Sequence, residues 1–370
     1  MSSLLRFSLV VTILFLSVTL VFAQRESPRH GFVLIPDSSF ERHGDLGNRA
    51  HTNHLIHFRP EADTGSPTGE TPASIRAVYN LPSTGGSGII AIVDAYDYPT
   101  AQTDFDTFSA QFSLPLSTDT CSGGPCFQKV YDTGTAPPVN CGWSQEMALD
   151  IEWAHAMAPN ARIVLVEAAS ANLFDLFSAV STAASIVSSA GSGEVTMSWG
   201  ASEFSFETLF DLFFAPYPAG LAPTRVVFLA ASGDTGGTTI YPSASPYVVS
   251  AGGTTIQRDA SGNFIGEIGW SGSGGGKSRY ESRPGYQSVI STIVANRRGT
   301  PDLSFDADPQ SGVSVYDSTP CNGLSGWLVF GGTSVSAQCL GGIVNLAGHF
   351  YPSSAAELRA IYTDYASPNY

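Results

Sequence analysis

The chain has 370 residues, of which 17 are Lys or Arg and 32 are Asp or Glu, so its formal net charge is −15 and only 13% of its residues are charged. Soluble domains usually contain about 25% charged residues. Because 43% of the residues are hydrophobic, the composition predicts a folded chain. The two lysines, Lys129 and Lys277, cannot form a basic stripe, so we expect no nucleic-acid partner.

The N-terminus has the pattern of a secretory signal peptide. Arg6 precedes the mostly apolar residues 7–22, and Val21 and Ala23 fit the small-residue rule for cleavage. We therefore predict a signal peptide over residues 1–23 and a secreted protein, extracellular or periplasmic. An uncleaved membrane anchor is the alternative, and no other stretch is long and apolar enough to span a membrane, so we expect no membrane association after cleavage.

Five cysteines suit an oxidising compartment, but their odd number leaves one without a partner in the chain. The sequence does not determine the pairing. Cys121–Cys126 and Cys321–Cys339 are plausible local bridges, and this pairing would leave Cys141 over. The chain contains no Cys-x-x-Cys pair and no His-Glu-x-x-His motif, so we predict no metal site of the zinc type.

Residues 24–74 are polar and contain five of the seven histidines, namely His30, His43, His51, His54 and His57. We interpret this segment as a loosely ordered leader that ends in a linker over Asp63 to Pro72. A pH-sensing or metal-binding role for the histidines is the alternative. The main domain is predicted over residues 75–370.

From Thr71 onward the pattern alternates between strands and helices. Buried strands are predicted at residues 88–94, 162–166, 195–199 and 225–230, and helices at 101–112, 144–157, 173–189 and from the turn at 331–334 to about 347. Continuous β-branched runs separated by helices imply an α/β fold with a mostly parallel sheet covered on both faces. The glycine- and serine-rich residues 252–276 are expected to form ordered loops.

The predicted helix at 144–157 carries two carboxylates on one face. With about 100° per residue, Glu146 and Asp150 lie about 40° apart. Like charges at this spacing destabilise a helix slightly in water and more strongly when buried, so the pair points to a function. Two solvated surface acids are the alternative. His155 lies on the opposite side of the helix, and we interpret it as a structural histidine.

Two glycine-rich turns carry further candidates. Asp234 follows a predicted buried strand, at the sheet edge where ligands of open α/β sheets bind; an ordinary tight turn is the alternative. Ser334 follows Gly331-Gly-Thr333 at the start of a helix, where backbone N–H groups and the helix dipole favour negative charge. An ordinary helix N-cap at Thr333 or Ser334 is the alternative.

Together these segments resemble the sedolisins, serine-carboxyl peptidases that are similar to subtilisin but act in acid. The resemblance spans roughly Thr71 to Pro352. It rests on motifs in the family's order, which are Glu146-x-x-x-Asp150-Ile-Glu-Trp, Ser198-Trp199-Gly200, Ser232-Gly-Asp234-Thr-Gly, Trp270-Ser-Gly-Ser-Gly-Gly-Gly, Arg283-Pro284, Thr300-Pro-Asp-Leu-Ser304, Asp306-Ala-Asp-Pro309 and Gly331-Gly-Thr-Ser334. It implies a subtilisin-like α/β fold with a mostly parallel central sheet and helices on both faces.

The resemblance implies a role for each candidate residue. Ser334 would be the nucleophile, Glu146 its general base, and Asp150 the residue that orients Glu146. Asp234 would be the acid that hydrogen-bonds the oxyanion, and the strand from Ser198 to Gly200 would border the substrate cleft. The implied activity is hydrolysis of polypeptides, by internal cleavage or by removal of tripeptides, at about pH 3–5.

The sequence departs from the family's pattern at three places. Only residues 24–74 separate the signal peptide from the main domain, where a long pro-domain is usual. The family binds calcium beyond the nucleophile helix, so we expect that site to lie beyond Tyr370 and the domain to be incomplete at its C-terminus. No cofactor site is identifiable in the chain itself. Gln338 replaces a proline that usually follows Ala337.

Two other functions are open on the sequence alone. Asp132-Thr-Gly and Asp234-Thr-Gly are also the paired elements of a pepsin-like aspartic peptidase, although that fold is all-β and conflicts with the predicted alternation. A catalytically inactive, sedolisin-like binding module is the second alternative. The sequence does not indicate the cleavage specificity or the oligomeric state.

Overall fold

The computed structural model of the protein describes residues 31–58 and 65–367. The predicted signal peptide, His30 and the first two residues of the predicted linker lie outside these ranges. Within them, the strands are β1 (Phe32–Leu34), β2 (His51–Thr52), β3 (Leu55–Phe58), β4 (Ile89–Ala95), β5 (Thr120–Cys121), β6 (Gly124–Pro125), β7 (Phe127–Tyr131), β8 (Arg162–Ala168), β9 (Gly193–Met197), β10 (Trp199–Ser202), β11 (Val226–Ala231), β12 (Ile240–Tyr241), β13 (Val249–Arg258), β14 (Phe264–Gly269), β15 (Gly276–Ser282), β16 (Arg297–Thr300), β17 (Leu303–Asp306), β18 (Val313–Cys321) and β19 (Leu324–Gly331).

Over the same ranges the helices are α1 (Pro72–Val78), α2 (Ala101–Phe112), α3 (Cys141–Met157), α4 (Leu173–Ser189), α5 (Ser291–Val294), α6 (Thr333–Leu346) and α7 (Ser354–Tyr365). Helices α2 and α4 have the predicted bounds. Helix α3 begins three residues earlier than predicted, because the side chain of Asn140 accepts a hydrogen bond from the Trp143 N–H at 3.2 Å and so caps the helix there.

Eight strands form the central sheet, in the order β14-β13-β11-β9-β4-β8-β7 with β17 paired to β13. Every pairing is parallel except the hairpin of β13 and β14. Helices α3 and α6 pack on each other and on one side of the sheet, and α4 packs on β4, β8, β9 and β11 from the other side. The middle strands are buried along their whole length, as expected for a sheet covered on both faces. The predicted α/β architecture is confirmed.

Two local differences from the prediction concern the edge of the sheet. The strand predicted at 195–199 is divided at Ser198: β9 ends at Met197, and β10 joins a separate three-stranded sheet in the order β12-β10-β2. Residues 252–276 are mostly strand rather than loop, because β13 extends to Arg258 and pairs with β14. The division at Ser198 places this residue where the chain leaves the central sheet.

Residues 31–58 are packed into the fold, contrary to the expected loosely ordered leader. Strand β2 pairs antiparallel with β10, with Thr52 opposite Trp199, and β3 pairs antiparallel with β19 and with β1. Leu55 and Ile56 are buried. This apolar pair at the start of Leu55-Ile56-His57-Phe58 is a strand signal within the polar segment. The domain boundary at residue 75 stays a prediction.

The cysteines form two disulfides, Cys121–Cys126 and Cys141–Cys321. The first pair agrees with the pairing expected from sequence proximity, and the expected Cys321–Cys339 pair is wrong. Cys339 is a buried free thiol in α6, and burial raises its pKa well above the usual range. The long-range bridge joins the start of α3 to the end of β18, which proximity along the sequence could not reveal.

Candidate active site

Helix α3 holds Glu146 and Asp150 in the interior of the protein. Both side chains have no exposed surface, because α2, α6, β4 and β18 pack around the helix. The alternative of two solvated surface acids is therefore wrong. Burying two carboxyl groups one helical turn apart is unfavourable unless they are protonated or hydrogen-bonded, so their partners decide what the pair can do.

Asp150 is held by two side chains from different elements. The Ser198 hydroxyl donates to Oδ1 of Asp150 at 2.9 Å, and the Gln338 amide nitrogen donates to Oδ2 at 2.5 Å. The same amide nitrogen lies 2.9 Å from the Ser198 hydroxyl, and the Thr196 hydroxyl donates to the amide oxygen of Gln338 at 2.7 Å. These bonds fix Asp150 between the sheet and α6, on the helix face it shares with Glu146.

A third carboxyl group, that of Asp94, completes this buried cluster and was not singled out from the sequence. Asp94 lies near the carboxyl end of β4 and has no exposed surface. Burial raises its pKa well above the usual range, and the charges of Glu146 and Glu167 raise it further. Its position at the end of a buried parallel strand was the available signal, since ligands of α/β sheets bind at that edge.

Burial likewise raises the pKa of Asp150 well above its usual range, and the neighbouring Asp94 and Glu146 charges raise it further, whereas the Ser198 hydrogen bond lowers it. With these raised pKa values, Asp94 and Asp150 keep their protons to higher pH than isolated carboxyl groups would.

Asp234 lies in the turn after β11 and is bonded to the start of α6. Its Oδ1 accepts hydrogen bonds from the Thr333 N–H at 2.7 Å and from the Thr333 hydroxyl at 2.8 Å. Its Oδ2 is buried and has no hydrogen-bond partner within residues 31–58 and 65–367. Burial raises the pKa of Asp234 to about 8, although the two Thr333 bonds lower it. Below that pH, Asp234 holds a proton that Oδ2 can donate to a ligand.

Ser334 is the second residue of α6, and the helix N-cap is Gly332, so the alternative of an ordinary side-chain cap at Thr333 or Ser334 is wrong. The Ser334 hydroxyl donates to the Ser198 carbonyl at 3.3 Å. Gly332 has a φ of +102°, and a Cβ there would clash with both the Asn53 carbonyl oxygen and Oδ2 of Asp234. Only glycine fits this turn, which leaves the space in front of Ser334 open to a backbone carbonyl.

Asn53 and His54 occupy that space, and no motif in the sequence placed them there. The Ser334 N–H donates to the Asn53 carbonyl at 3.1 Å, and the Asn53 N–H donates to the Ser198 carbonyl at 3.0 Å and to Oε2 of Glu146 at 3.0 Å. Nδ1 of His54 lies 2.9 Å from the same Glu146 oxygen. Both residues are almost fully buried.

The predicted substrate strand, residues 198–200, lies beside the candidate nucleophile. The Ser198 carbonyl faces Ser334, and the backbones of Trp199 and Gly200 pair with β2. The Trp199 side chain points into the core, where its indole N–H donates to the Val93 carbonyl at 2.8 Å. The backbone of this strand, rather than the Trp199 ring, therefore makes the contacts with residues 51–52.

Two rival candidates take structural positions. Nε2 of His155 lies 2.9 Å from the Pro115 carbonyl, and burial lowers the pKa of His155 to about 4, so the interpretation of a structural histidine is confirmed. Asp132 accepts a hydrogen bond from the Thr182 hydroxyl at 2.6 Å. The mostly parallel sheet is incompatible with the all-β fold of a pepsin-like peptidase, which removes that alternative.

Residues 31–58 and 65–367 contain no group of three or more His, Cys, Asp or Glu side chains placed to hold a metal ion. These residues therefore do not offer a carboxylate cluster that fits calcium. In the same part of the chain, no helix combines the length and apolarity needed to cross a membrane.

Comparisons with known proteins identify proteins of similar sequence. The chain is 28% identical over 315 residues to kumamolisin from Bacillus sp. (strain MN-32), which covers 78% of this chain and 53% of kumamolisin. It is 34% identical over 113 residues to sedolisin from Pseudomonas sp. (strain 101), which covers 28% of this chain and 18% of that relative. No protein-family model matches the chain.

The structure is also similar to that of Pseudomonas sedolisin, a serine-carboxyl proteinase solved in complex with two molecules of pseudo-iodotyrostatin. The TM-score is 0.65 at 23% identity, and the match covers 81% of this chain and 87% of that chain. The predicted subtilisin-like α/β fold is thereby confirmed. The chain spans about half the length of kumamolisin.

Proposed function

Because this chain belongs to the sedolisin family, we propose that it is a serine-carboxyl peptidase that hydrolyses polypeptides. The observation that carries the proposal is that Ser334, Glu146 and Asp234 surround the backbone of one residue, Asn53. The Ser334 N–H donates to the Asn53 carbonyl, Glu146 accepts from the Asn53 N–H, and a Cβ on Gly332 would meet both that carbonyl oxygen and Oδ2 of Asp234. A peptidase needs a nucleophile, a base and an oxyanion donor around such a carbonyl.

In the proposed reaction, the Ser334 hydroxyl attacks the carbonyl carbon of a bound peptide and transfers its proton to Glu146. The hydroxyl must turn from the Ser198 carbonyl towards Glu146 for this step. Asp150 restrains Glu146 one helical turn away and is itself held by Ser198 and Gln338. Glu146 then returns the proton to the leaving amine, and water hydrolyses the acyl-enzyme by the reverse sequence.

Two donors serve the oxyanion in this scheme. The Ser334 N–H already bonds a carbonyl at 3.1 Å, and Oδ2 of Asp234 supplies the second bond while it is protonated. Removing one oxyanion donor costs about 100- to 1,000-fold in kcat. Because the raised pKa of Asp234 is about 8, its donor is present in acid and is lost as the pH rises through that value.

The proposed working range is acid, at about pH 3–5. The buried carboxyl groups of Asp94 and Asp150 also have raised pKa values, so raising the pH forces charge onto the same cluster. We expect activity to fall as the pH rises from acid towards about pH 8 and to be about 100- to 1,000-fold lower above it.

Internal cleavage is the favoured mode within this proposal. The chain in the cleft enters through β2 and continues past Ser334 into β3, so a polypeptide is accommodated on both sides of the reacting carbonyl. Removal of tripeptides would need a wall or a charged group that binds a free amino terminus about three residues before that carbonyl.

We further propose secretion through the signal peptide at residues 1–23. Calcium, which the family resemblance implies, takes no part in the proposed reaction. The remaining alternative is an inactive binding module that keeps the same fold.

The test measures hydrolysis of a denatured protein and of a fluorogenic peptide at about pH 4 and about pH 8. Ser334→Ala should lower kcat by on the order of 10⁴-fold. Ser336→Ala is its matched control, because this buried serine lies two residues further along α6 and its hydroxyl has no hydrogen-bond partner among the described residues.

Glu146→Gln should lower kcat by on the order of 10³- to 10⁴-fold. Glu152→Gln is its control on the same buried helix, where the Glu152 carboxylate accepts a bond from the Tyr316 N–H at 3.0 Å instead. Equal activity at both pH values, or an active Ser334→Ala variant, would contradict the mechanism. A folded wild-type chain that neither hydrolyses peptides nor reacts at Ser334 with a serine-directed phosphonate would establish the binding module.

A further inference from the structure

A group of exposed apolar side chains is formed by the start of α4 and by the chain that follows β10. We name it the apolar platform; it consists of Phe174, Phe206, Leu209 and Leu212, which are 72%, 46%, 66% and 38% exposed. Leu209 and Leu212 belong to a 3₁₀ helix over Glu207–Phe213, and Phe206 is its N-cap. Because side chains three residues apart on such a helix lie above one another, these three form one row.

Phe174 joins this row through a buried ring that it shares with Phe206. The ring of Phe210 lies with its centroid 5.5 Å from that of Phe174 and 6.2 Å from that of Phe206. Phe210 is buried and stacks on Phe177 at 4.8 Å, so the platform rests on the aromatic core. A contiguous exposed apolar surface of this kind usually marks a place where another molecule binds.

The amino-terminal segment shows how an extended chain reaches this surface from the candidate active site. Before Asn53 the chain pairs with β10 through β2. It then crosses to the start of α4, where the Ala50 N–H donates to the Ala171 carbonyl at 2.9 Å and the Leu173 N–H donates to the Asn48 carbonyl at 2.8 Å. A chain that follows this path is therefore bonded by its backbone on the way to the platform.

The path ends on the platform itself. Gly47 is six residues before Asn53 in the chain, and a Cβ on Gly47 would lie 3.1 Å from the Phe206 ring and 3.4 Å from the Phe204 ring. Phe174 directly follows Leu173, the last residue that bonds the segment. A side chain at or just before the position of Gly47 would therefore meet the platform, which this glycine leaves exposed.

The chemistry of the platform fits an uncharged, apolar partner. Residues 202–224 contain no Lys, Arg or His, so they offer no positive charge to anionic lipid headgroups. The acids of the 3₁₀ helix bond inward: Glu207 accepts from the Phe204 N–H at 2.7 Å and Asp211 from the Ser245 hydroxyl at 2.6 Å. Polypeptides that lose their tertiary packing in acid expose the apolar side chains that such a surface binds.

We propose that the apolar platform is an exosite for the polypeptide substrate. It binds aliphatic or aromatic side chains that lie about six to eight residues on the amino-terminal side of the bond that Ser334 cleaves. This inference rests on the proposed function and adds a substrate class to it, namely long unfolded chains with an apolar stretch before the cleaved bond. Binding energy gained far from the reacting carbonyl raises kcat/KM for such chains, whereas short peptides do not reach the platform.

The experiment compares three fluorogenic peptides that share one cleavage sequence, at about pH 4. The short peptide has about four residues before the cleaved bond, and two long peptides have about ten. The apolar long peptide carries Leu-Phe-Leu at the sixth to eighth positions before the bond, and the polar long peptide carries Ser-Ser-Ser there. We expect the wild type to hydrolyse the apolar long peptide with a kcat/KM about tenfold above that of the polar long peptide, because leucine and phenylalanine side chains become buried.

Leu209→Ser should bring this ratio of kcat/KM values to within about twofold of one, because it places a hydroxyl in the middle of the platform. Phe174→Ser, on a separate element, should also lower the ratio. Ile265→Ser is the matched control, since Ile265 on β14 is 64% exposed, close to the 66% of Leu209. This control should keep the wild-type ratio, and melting temperatures equal to that of the wild type show that the variants fold.

The remaining outcomes separate the exosite from other partners and from the proposed function. Equal kcat/KM for both long peptides in the wild type, or a ratio that neither Leu209→Ser nor Phe174→Ser lowers, overturns the exosite and leaves the peptidase proposal standing. A dimer that Leu209→Ser converts to a monomer in sedimentation, or binding to phosphatidylcholine vesicles that it abolishes, with the ratio unchanged, assigns the platform to a second copy or to lipid and overturns the inference. Absence of hydrolysis of all three peptides overturns the peptidase proposal and the exosite together.

Discussion

Two buried groups of acidic side chains can be compared within this molecule. The first contains Asp94, Glu146, Asp150 and Asp234 around Ser334. The second, which we name the distal acidic cluster, contains Glu203, Glu207, Asp211 and Glu281. In the distal acidic cluster burial raises the pKa of Glu207 to about 9, of Glu281 to about 8 and of Asp211 to about 6. Both groups thus contain acids whose pKa values are raised by burial, namely Asp94, Asp150 and Asp234 in the first and Glu207, Asp211 and Glu281 in the second.

The two groups differ in the residues that surround them. In the distal acidic cluster the hydrogen-bond donors are structural: Glu207 accepts from the Phe204 N–H at 2.7 Å, and Asp211 accepts from the Ser245 hydroxyl at 2.6 Å. Around Ser334 the acids instead surround the start of a helix and the carbonyl of an extended chain. A perturbed carboxyl group therefore indicates a function only where a nucleophile and a substrate position accompany it.

In this comparison, the largest change in kcat is expected for substitutions of Asp234. Asp234→Ala removes an oxyanion donor and should lower kcat by about 100- to 1,000-fold. Asp234→Asn keeps an N–H donor that does not ionise, so its remaining activity should decline less steeply than that of the wild type as the pH approaches about 8. The measurement is the pH profile of kcat for a fluorogenic peptide.

The matched change in the distal acidic cluster is Asp211→Asn. It should leave kcat unchanged, because Asp211 bonds only structural groups such as the Ser245 and Tyr241 hydroxyls. A similar loss of kcat in both variants would mean that the two clusters are coupled and that the comparison fails. Unchanged kcat in Asp234→Ala would remove Asp234 from the oxyanion site.

A smaller effect is expected at Gln338. Gln338→Leu removes the 2.5 Å donor to Asp150 and leaves the Thr196 hydroxyl without its acceptor. We expect kcat to fall about tenfold with an unchanged KM, because Asp150 positions Glu146 and does not bind substrate. Loss of the donor should also raise the pKa of Asp150 and shift the pH profile of kcat to higher pH.

Gln287→Leu is the control for this change. Gln287 is also a fully buried glutamine, but it bonds the Gly299 carbonyl and the Tyr362 hydroxyl, each at 2.7 Å. This variant should lower the melting temperature and leave the pH profile in place. A Gln338→Leu profile that matches that of Gln287→Leu would reduce Gln338 to a packing residue.

The prediction from sequence succeeded where local patterns carry the structure. Buried β-branched runs predicted the parallel strands, and composition predicted α2 and α4 to the residue. The helical spacing of Glu146 and Asp150 predicted their common face, because 3.6 residues per turn fixes that relation before any tertiary contact forms.

The parts that the sequence did not predict depend on contacts between distant segments. His54 meets Glu146 across 92 residues of chain, and Gln338 meets Asp150 across 188. No local period encodes such pairs. The polar character of residues 24–74 concealed a short apolar strand, β3, that brings Asn53 into the cleft. The Cys141–Cys321 disulfide also joins residues 180 positions apart, so proximity along the sequence did not predict it.

The smallest effect on activity, and a direct test of the distal acidic cluster, is expected for Glu207→Gln. The folded-state pKa of Glu207 is raised to about 9, whereas an unfolded Glu titrates near about 4.3. Between these values the unfolded chain has lost a proton that the folded chain still holds. The free energy of unfolding therefore falls as the pH rises through this window and is fully retained below about pH 4.3.

Glutamine cannot ionise, so Glu207→Gln should remove the contribution of this one proton to the pH dependence of the free energy of unfolding. Measured by urea unfolding, the variant should match the wild type at about pH 4 and exceed it at about pH 8 by on the order of 1–2 kcal/mol, with unchanged kcat. Asp364→Asn, at an exposed acid of α7, should show no such pH-dependent gain. Equal pH slopes for Glu207→Gln and the wild type would show that the pKa of Glu207 is not raised in the folded chain.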